Sequence, residues 1–113
     1  MAVDKNRFES ASAVVKKVTI TGNINATKTG HIVVINGGGD MGSGVKALAN
    51  SYTAIATIPQ GYRPTQSSYG FFKVGGLSDV TLLGLAKPDG EFGIYNNTNV
   101  DHSFAYGSMT YTV

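Results

Sequence analysis

Apolar and polar residues alternate with a period of two along most of the chain. Val14, Val18, Ile20 and Ile24 share one parity, and Lys17, Thr19, Thr21 and Asn23 hold the other. Such alternation marks a strand with one buried face. The first predicted strand therefore runs from Val14 to Ile24, with Lys16 breaking the apolar face near its start. His31 to Asn36 is a second, more uniformly apolar strand. Tyr52 to Ile58 is a third, stopped by Pro59, and Tyr69 to Val74 and Val80 to Ala86 follow. Lys87-Pro88-Asp89-Gly90 is a turn: proline presets φ at the second position, and Asp-Gly tolerates the bends that follow. Glu91 to Tyr95 returns from it, and Asn96 to Asn99 is polar and loop-like. His102 to Val113 closes the chain, with Phe104 and Tyr106 on one parity and Met109, Tyr111 and Val113 on the other. About seven short strands separated by turn signals predict an all-β, antiparallel domain, a barrel or a sandwich. The polar lead-in Met1 to Ala13 is set apart from a single domain over 14–113, and reads as the remnant of a neck or linker.

One stretch competes with that picture. In HIVVINGGGDMGSGVKALAN (His31 to Asn50), Gly37, Gly39 and Gly42 match the G-x-G-x-x-G spacing of a dinucleotide-binding turn. That turn needs a following helix of at least about ten residues and an acidic residue roughly 20 positions on. Val45 to Ser51 is too short for the helix, and no Asp or Glu lies between Asp40 and Asp79. A phosphate loop fails too, because no Gly-Lys-Ser/Thr is present. The glycines are therefore expected to form a flexible connection, or one that packs closely against a neighbouring subunit.

Composition narrows the function. Only 14% of the 113 residues are charged, against 42% hydrophobic, well under the roughly 25% charge of an average soluble domain. A surface so poor in charge suits a subunit of an oligomer. The net charge of +2 is small and its basic residues are scattered, which argues against a nucleic-acid partner. The absence of Cys removes disulfides, thiolate metal sites and a Cys nucleophile. No apolar run approaches the roughly 18 residues of a membrane-spanning helix, and the N-terminus lacks the apolar centre of a signal peptide. No membrane insertion and no cofactor are expected.

Two catalytic constellations and a metal site fall on the placement of their residues. Asp101, His102 and Ser103 carry the residue types of a hydrolase triad, but neighbours in one strand or loop cannot converge into a relay. His31 could supply a distant base, yet nothing marks a nucleophile elbow. Asp89 and Glu91 sit at a hairpin turn, where paired acids are solvated turn residues rather than the facing carboxylates of a glycosidase. His31 and His102 are the only histidines and no acidic loop accompanies them, so no metal site is expected. The sequons at Asn25 and Asn96 carry no weight in a chain rich in Asn and Thr without a secretory signal.

The aromatic residues are more informative. Six Tyr and five Phe stand without a Trp. Tyr95, Asn96, Asn97, Asp101, His102 and Tyr106 gather around one loop near the C-terminus. A sugar site needs this mixture: a ring for the C–H face, and amide, carboxylate and imidazole groups for the hydroxyls. These six are the candidate saccharide-binding residues.

The segment ATIPQGYRPTQSSYGFF (Ala56 to Phe72), followed by an apolar strand, the KPDGEFGIY hairpin and a final aromatic strand, resembles the C-terminal domains of bacteriophage tail fibres and receptor-binding proteins. The similarity runs over 52–113 and is greatest with the heads of siphophages infecting lactococci and related Gram-positive hosts. It implies an antiparallel Greek-key barrel or jelly-roll-like head, a homotrimer at the virion's tail tip or baseplate. Such a head joins other tail proteins through its N-terminal side. It binds a host cell-wall saccharide without cleaving it. In such heads a His-x-Asp pair precedes the hairpin and a Trp follows it; here the first position is Leu83-Gly84-Leu85, and Tyr95 is the nearest counterpart of the second. Physically, IPQGYRP is a rigid corner between strands. Pro59 and Pro64 cannot donate ladder bonds, Gly61 permits the bend, Tyr62 can plug the barrel end, and Arg63 can bind loop carbonyls or a carboxylate. The expected function is a non-enzymatic receptor-binding head. The alternatives are a purely structural trimerising module of the tail tip or baseplate, and a tailspike glycosidase fragment.

Overall fold

The computed structural model describes residues 15–74 and 80–113. The lead-in over 1–13 and the predicted start of the first strand at Val14 lie outside the described residues. Eight strands form one antiparallel sheet curled into a half-barrel, with no helix among the described residues. They are β1 (Val15–Thr21), β2 (Ile24–Thr29), β3 (Ile32–Asp40), β4 (Ser51–Thr57), β5 (Ser68–Lys73), β6 (Thr81–Ala86), β7 (Glu91–Asn96) and β8 (Phe104–Thr112). Their spatial order is β1-β2-β3-β8-β5-β6-β7-β4. Two meanders, β1-β2-β3 and β5-β6-β7, are joined by β8 between them, and β4 lies at the far edge beside β7.

Two expectations are corrected here. The strand expected over 14–24 is two strands, which raises the number from seven to eight. Gly22, at φ 51°, turns the chain between β1 and β2. Val18 pairs with Ala26, so even-numbered positions face inward on both arms and the alternation passes through the turn unbroken.

The glycine cluster is also not a loop. Gly37, Gly38 and Gly39 are the second half of β3 and pair with Gly107, Tyr106 and Ala105 of β8. Their role is close approach within the sheet. A Cβ on Gly37 would sit 2.7 Å from the Ala105 carbonyl oxygen and 3.3 Å from the Phe72 ring, and one on Gly84 would sit 2.6 Å from that ring. Phe72 thus packs against bare backbone of β3 and β6 and meets Phe92 edge-on, with centroids 5.9 Å apart.

The core fills the concave side. Ile24, Ala26, Val33, Ile35, Phe72, Leu82, Phe92, Ile94, Ala105 and Met109 are all buried there. The parity expected for the last strand holds: Ala105, Met109 and Tyr111 are buried, while Phe104 and Tyr106 are exposed. The IPQGYRP corner closes one end. Arg63 Nε donates to the Ile58 carbonyl at 2.8 Å, and its guanidinium lies against Gly90 of the KPDG turn. Tyr111 donates to the Tyr62 carbonyl, and Lys28 Nζ donates to Gly61 O at 2.8 Å. Tyr62, half-buried, packs against the core. The corner therefore binds the β4–β5 connection to β2, β8 and the hairpin.

Candidate functional site

Strands β4 and β7 place two tyrosines side by side. Tyr52 is paired directly with Tyr95, so both side chains leave the same, convex face. Their rings are 4.6 Å apart and tilted by 47°. Tyr52 reaches along β7, where its phenol covers the backbone of Gly93, and donates to Glu91 Oε2 at 2.6 Å. Lys87 Nζ lies 2.9 Å from the same oxygen and 5.5 Å from the centre of the Tyr52 ring. Hydrogen bonds from Tyr52 and Lys87 hold the Glu91 carboxyl below its ordinary pKa. Burial, then the bond to Glu91, raises the Tyr52 phenol above its own. The tyrosine is thus neutral and its hydroxyl engaged, and what it offers outward is the ring.

Beside these rings is a shallow, open depression of about 380 Å³, lined by Asn50, Ser51, Tyr52, Tyr95, Asn96 and Asn97. Its rim comes from the chain after β3 and the chain after β7, stitched together. Ala47 and His102 exchange backbone hydrogen bonds of 2.8 and 3.0 Å, and Asn50 N donates to Thr98 O at 2.8 Å. Asp101 Oδ1 accepts from Ala49 N at 2.8 Å. Asn50 takes the left-handed conformation at φ 54°, at the entry to β4.

Asn96 is the knot of this arrangement. It is the last residue of β7, buried rather than part of an open loop. Its Nδ2 donates to Ala47 O at 2.9 Å and Val100 O at 2.8 Å. Its Oδ1 accepts from Thr98 N at 2.9 Å and Thr98 Oγ1 at 2.6 Å. An amide has two donors and one oxygen with two lone pairs, so its bonding capacity is spent.

The structure thus brings Tyr95, Asn96 and Asn97 together at the depression. Asp101 and His102 are on the adjoining loop, where the Asp101 carboxylate holds Ala49 and the His102 ring lies 3.1 Å from Thr98 Oγ1. Tyr106 is on the convex face of β8, opposite Lys73 of β5, and its ring stacks parallel to Phe104 with centroids 6.5 Å apart. It does not line the depression. Sequence reading missed Tyr52, Asn50 and Ser51. The only local signal was that Tyr52 opens an alternating segment; its pairing with β7 depends on strand order. Among the described residues, no group of three His, Cys, Asp or Glu could hold a metal ion.

Chemically the site offers an exposed ring, Tyr95, a second ring fixed beside it, and the exposed amides of Asn50 and Asn97, which take no side-chain partner among the described residues. Comparison with protein-family models and with curated proteins gives no match.

Proposed function

We propose that the chain is a non-enzymatic receptor-recognition head of a bacteriophage tail, binding a saccharide of the host cell envelope. The observation that carries the binding half is the depression itself: Tyr95 and Tyr52 held side by side, with the free amides of Asn50 and Asn97 next to them. An aromatic floor with few polar groups orients a ring that has one C–H face and hydroxyls around its edge. Asn96, Asp101 and His102 serve this reading by fixing the rim, and Asn97 by contact. The phage-tail half rests on the resemblance carried by the IPQGYRP corner and the KPDG hairpin. The neighbouring order β4-β7-β6-β5, with a long β4–β5 connection, supports a Greek-key reading of that half of the sheet.

Homotrimeric assembly belongs to the same proposal, with the N-terminal side towards other tail or baseplate proteins at the tip of the virion. It is supported by the convex face of β5, where Tyr69 and Phe71 are 59% and 68% exposed. This observation also favours the second reading, a trimerising structural module without a ligand. Titration with envelope polysaccharide from susceptible bacteria separates the two. Saturable binding, lost in Tyr95→Ala and weakened in His102→Ala, supports the head. Absence of binding to any susceptible cell wall supports the structural module, and release of reducing ends would indicate a glycosidase.

A further inference from the structure

We infer that the depression selects an uncharged sugar, with Tyr52 as a second contact residue that Glu91 and Lys87 hold in place. The inference rests on the saccharide reading above and specifies its ligand. None of the six lining residues carries a charge at neutral pH. Lys46, Asp101 and His102 are the ionisable side chains of the two rim segments, over 41–50 and 97–103, and none of them lines it. The nearest ion pair, Lys87 with Glu91, is closed on itself: the ammonium is within 2.9 Å of the carboxylate, which also accepts from Tyr52 at 2.6 Å. A phosphate or uronate entering the depression would lose hydration with no cation to replace it. An uncharged pyranose bears no such cost. Its C–H face meets the rings of Tyr95 and Tyr52, and its vicinal hydroxyls meet amides that both donate and accept. A volume of about 380 Å³ is at the small end of ligand sites and has room for roughly one or two sugar rings.

Glu91 and Lys87 act here as positioning residues. Tyr52 is flanked on its own strand by Ser51 and Thr53 and lies over Gly93, which has no side chain to brace it. The hydrogen bond to Glu91 fixes the direction of the ring, and Lys87 fixes the carboxylate in turn.

The test is an array of bacterial envelope glycans with neutral members and members bearing phosphate or uronate, probed with the full chain and its variants. Binding is expected on neutral members, insensitive to salt. Tyr95→Ala and Tyr52→Ala should each weaken it about tenfold or more, the equivalent of one stacked ring. Tyr52→Phe keeps the ring but loses its bond to Glu91. It should bind more weakly than the wild type and more tightly than Tyr52→Ala, which also guards against a folding defect in the alanine variant. Binding equal to the wild type would overturn the positioning role. Binding confined to charged members, or lost in Tyr95→Ala and unchanged in Tyr52→Ala, overturns the inference and leaves the saccharide reading standing. Binding that survives Tyr95→Ala overturns the depression as the sugar site as well. Binding to no member overturns both.

Discussion

Gly37 and Gly38 are neighbours in β3, yet their surroundings give them opposite tolerance to a side chain. A Cβ on Gly37 points into the sheet interior, 2.7 Å from a carbonyl oxygen of β8, whereas one on Gly38 would find its nearest atom 3.6 Å away. Gly37→Ala should therefore cost about 1–3 kcal/mol, since backbone must shift to admit the methyl. Gly38→Ala should be neutral or stabilising by up to about 1 kcal/mol, because it restricts the unfolded chain. Urea unfolding of the two variants checks this; equal and negligible effects would mean that the segment does behave as a loose connection. Asn96 makes the complementary point about polar residues. Its four partner atoms belong to both segments of the rim, which Asp101 also ties together through Ala49 N. Asn96→Ala leaves Thr98 N without its partner and takes one of two donors from Ala47 O and from Val100 O, which keep His102 N and Thr98 Oγ1. It should cost about 1–3 kcal/mol, read as a drop in the thermal midpoint. A local reading of Tyr-Asn-Asn-Thr cannot tell the amide that is spent from the one that is free. The difference lies in which residue ends the strand with its side chain inward.

At the level of elements, β4 is held to β7 by its ladder and by the Tyr52–Glu91–Lys87 chain, which makes that edge sensitive to pH at both ends of the scale. Glu91 has a depressed pKa, so its contribution is complete above the unfolded carboxyl value and is lost as pH falls through the folded one. Tyr52 is raised, chiefly by burial and then by Glu91, so its contribution is complete below the ordinary phenol value of 10.0 and is lost as pH rises beyond it. Tyr111, pushed up to about 12 by burial where it bonds to the corner, adds to the alkaline loss between pH 10 and about 12. Thermal midpoints measured against pH should fall on both sides. Glu91→Gln should flatten the acid limb, and Tyr52→Phe and Tyr111→Phe the alkaline one. Most strands were legible because alternation is a local signal, and the inward parity of β8 follows from it directly. The β1–β2 turn was not, since its two arms keep the same parity and no break in pattern marks Gly22-Asn23. Gly37 to Gly39 were misread for a related reason. Triple glycine has high loop propensity, and the packing of Phe72 that keeps it in a strand is made by residues far along the chain.

At the scale of the molecule, strand order decides what sequence could not. Tyr52, Tyr95, Leu83 and Phe71 belong to four strands, yet the registers β4–β7, β7–β6 and β6–β5 set them in one row across the convex face. The tyrosine depression is at one end of that row, and Phe71, 68% exposed, is at the other. A charge-poor chain with such a row should hide its β5 end against a neighbouring subunit. In the proposed trimer, Phe71→Asp places a carboxylate in that contact. Light scattering should then give a monomer where the wild type gives a trimer. Folding should be unaffected to within about 0.5 kcal/mol, because the side chain contributes little to its own subunit's core. The separation of the two ends makes a further consequence measurable. The variant should bind a single saccharide unit as the wild type does, while its hold on an intact polysaccharide falls by about 10²–10⁴, the avidity that three linked sites confer. Equal loss on both ligands would place the sugar site in the contact between subunits. A wild type that is a stable monomer would remove the trimer, and with it the multivalency on which weak single-site recognition depends.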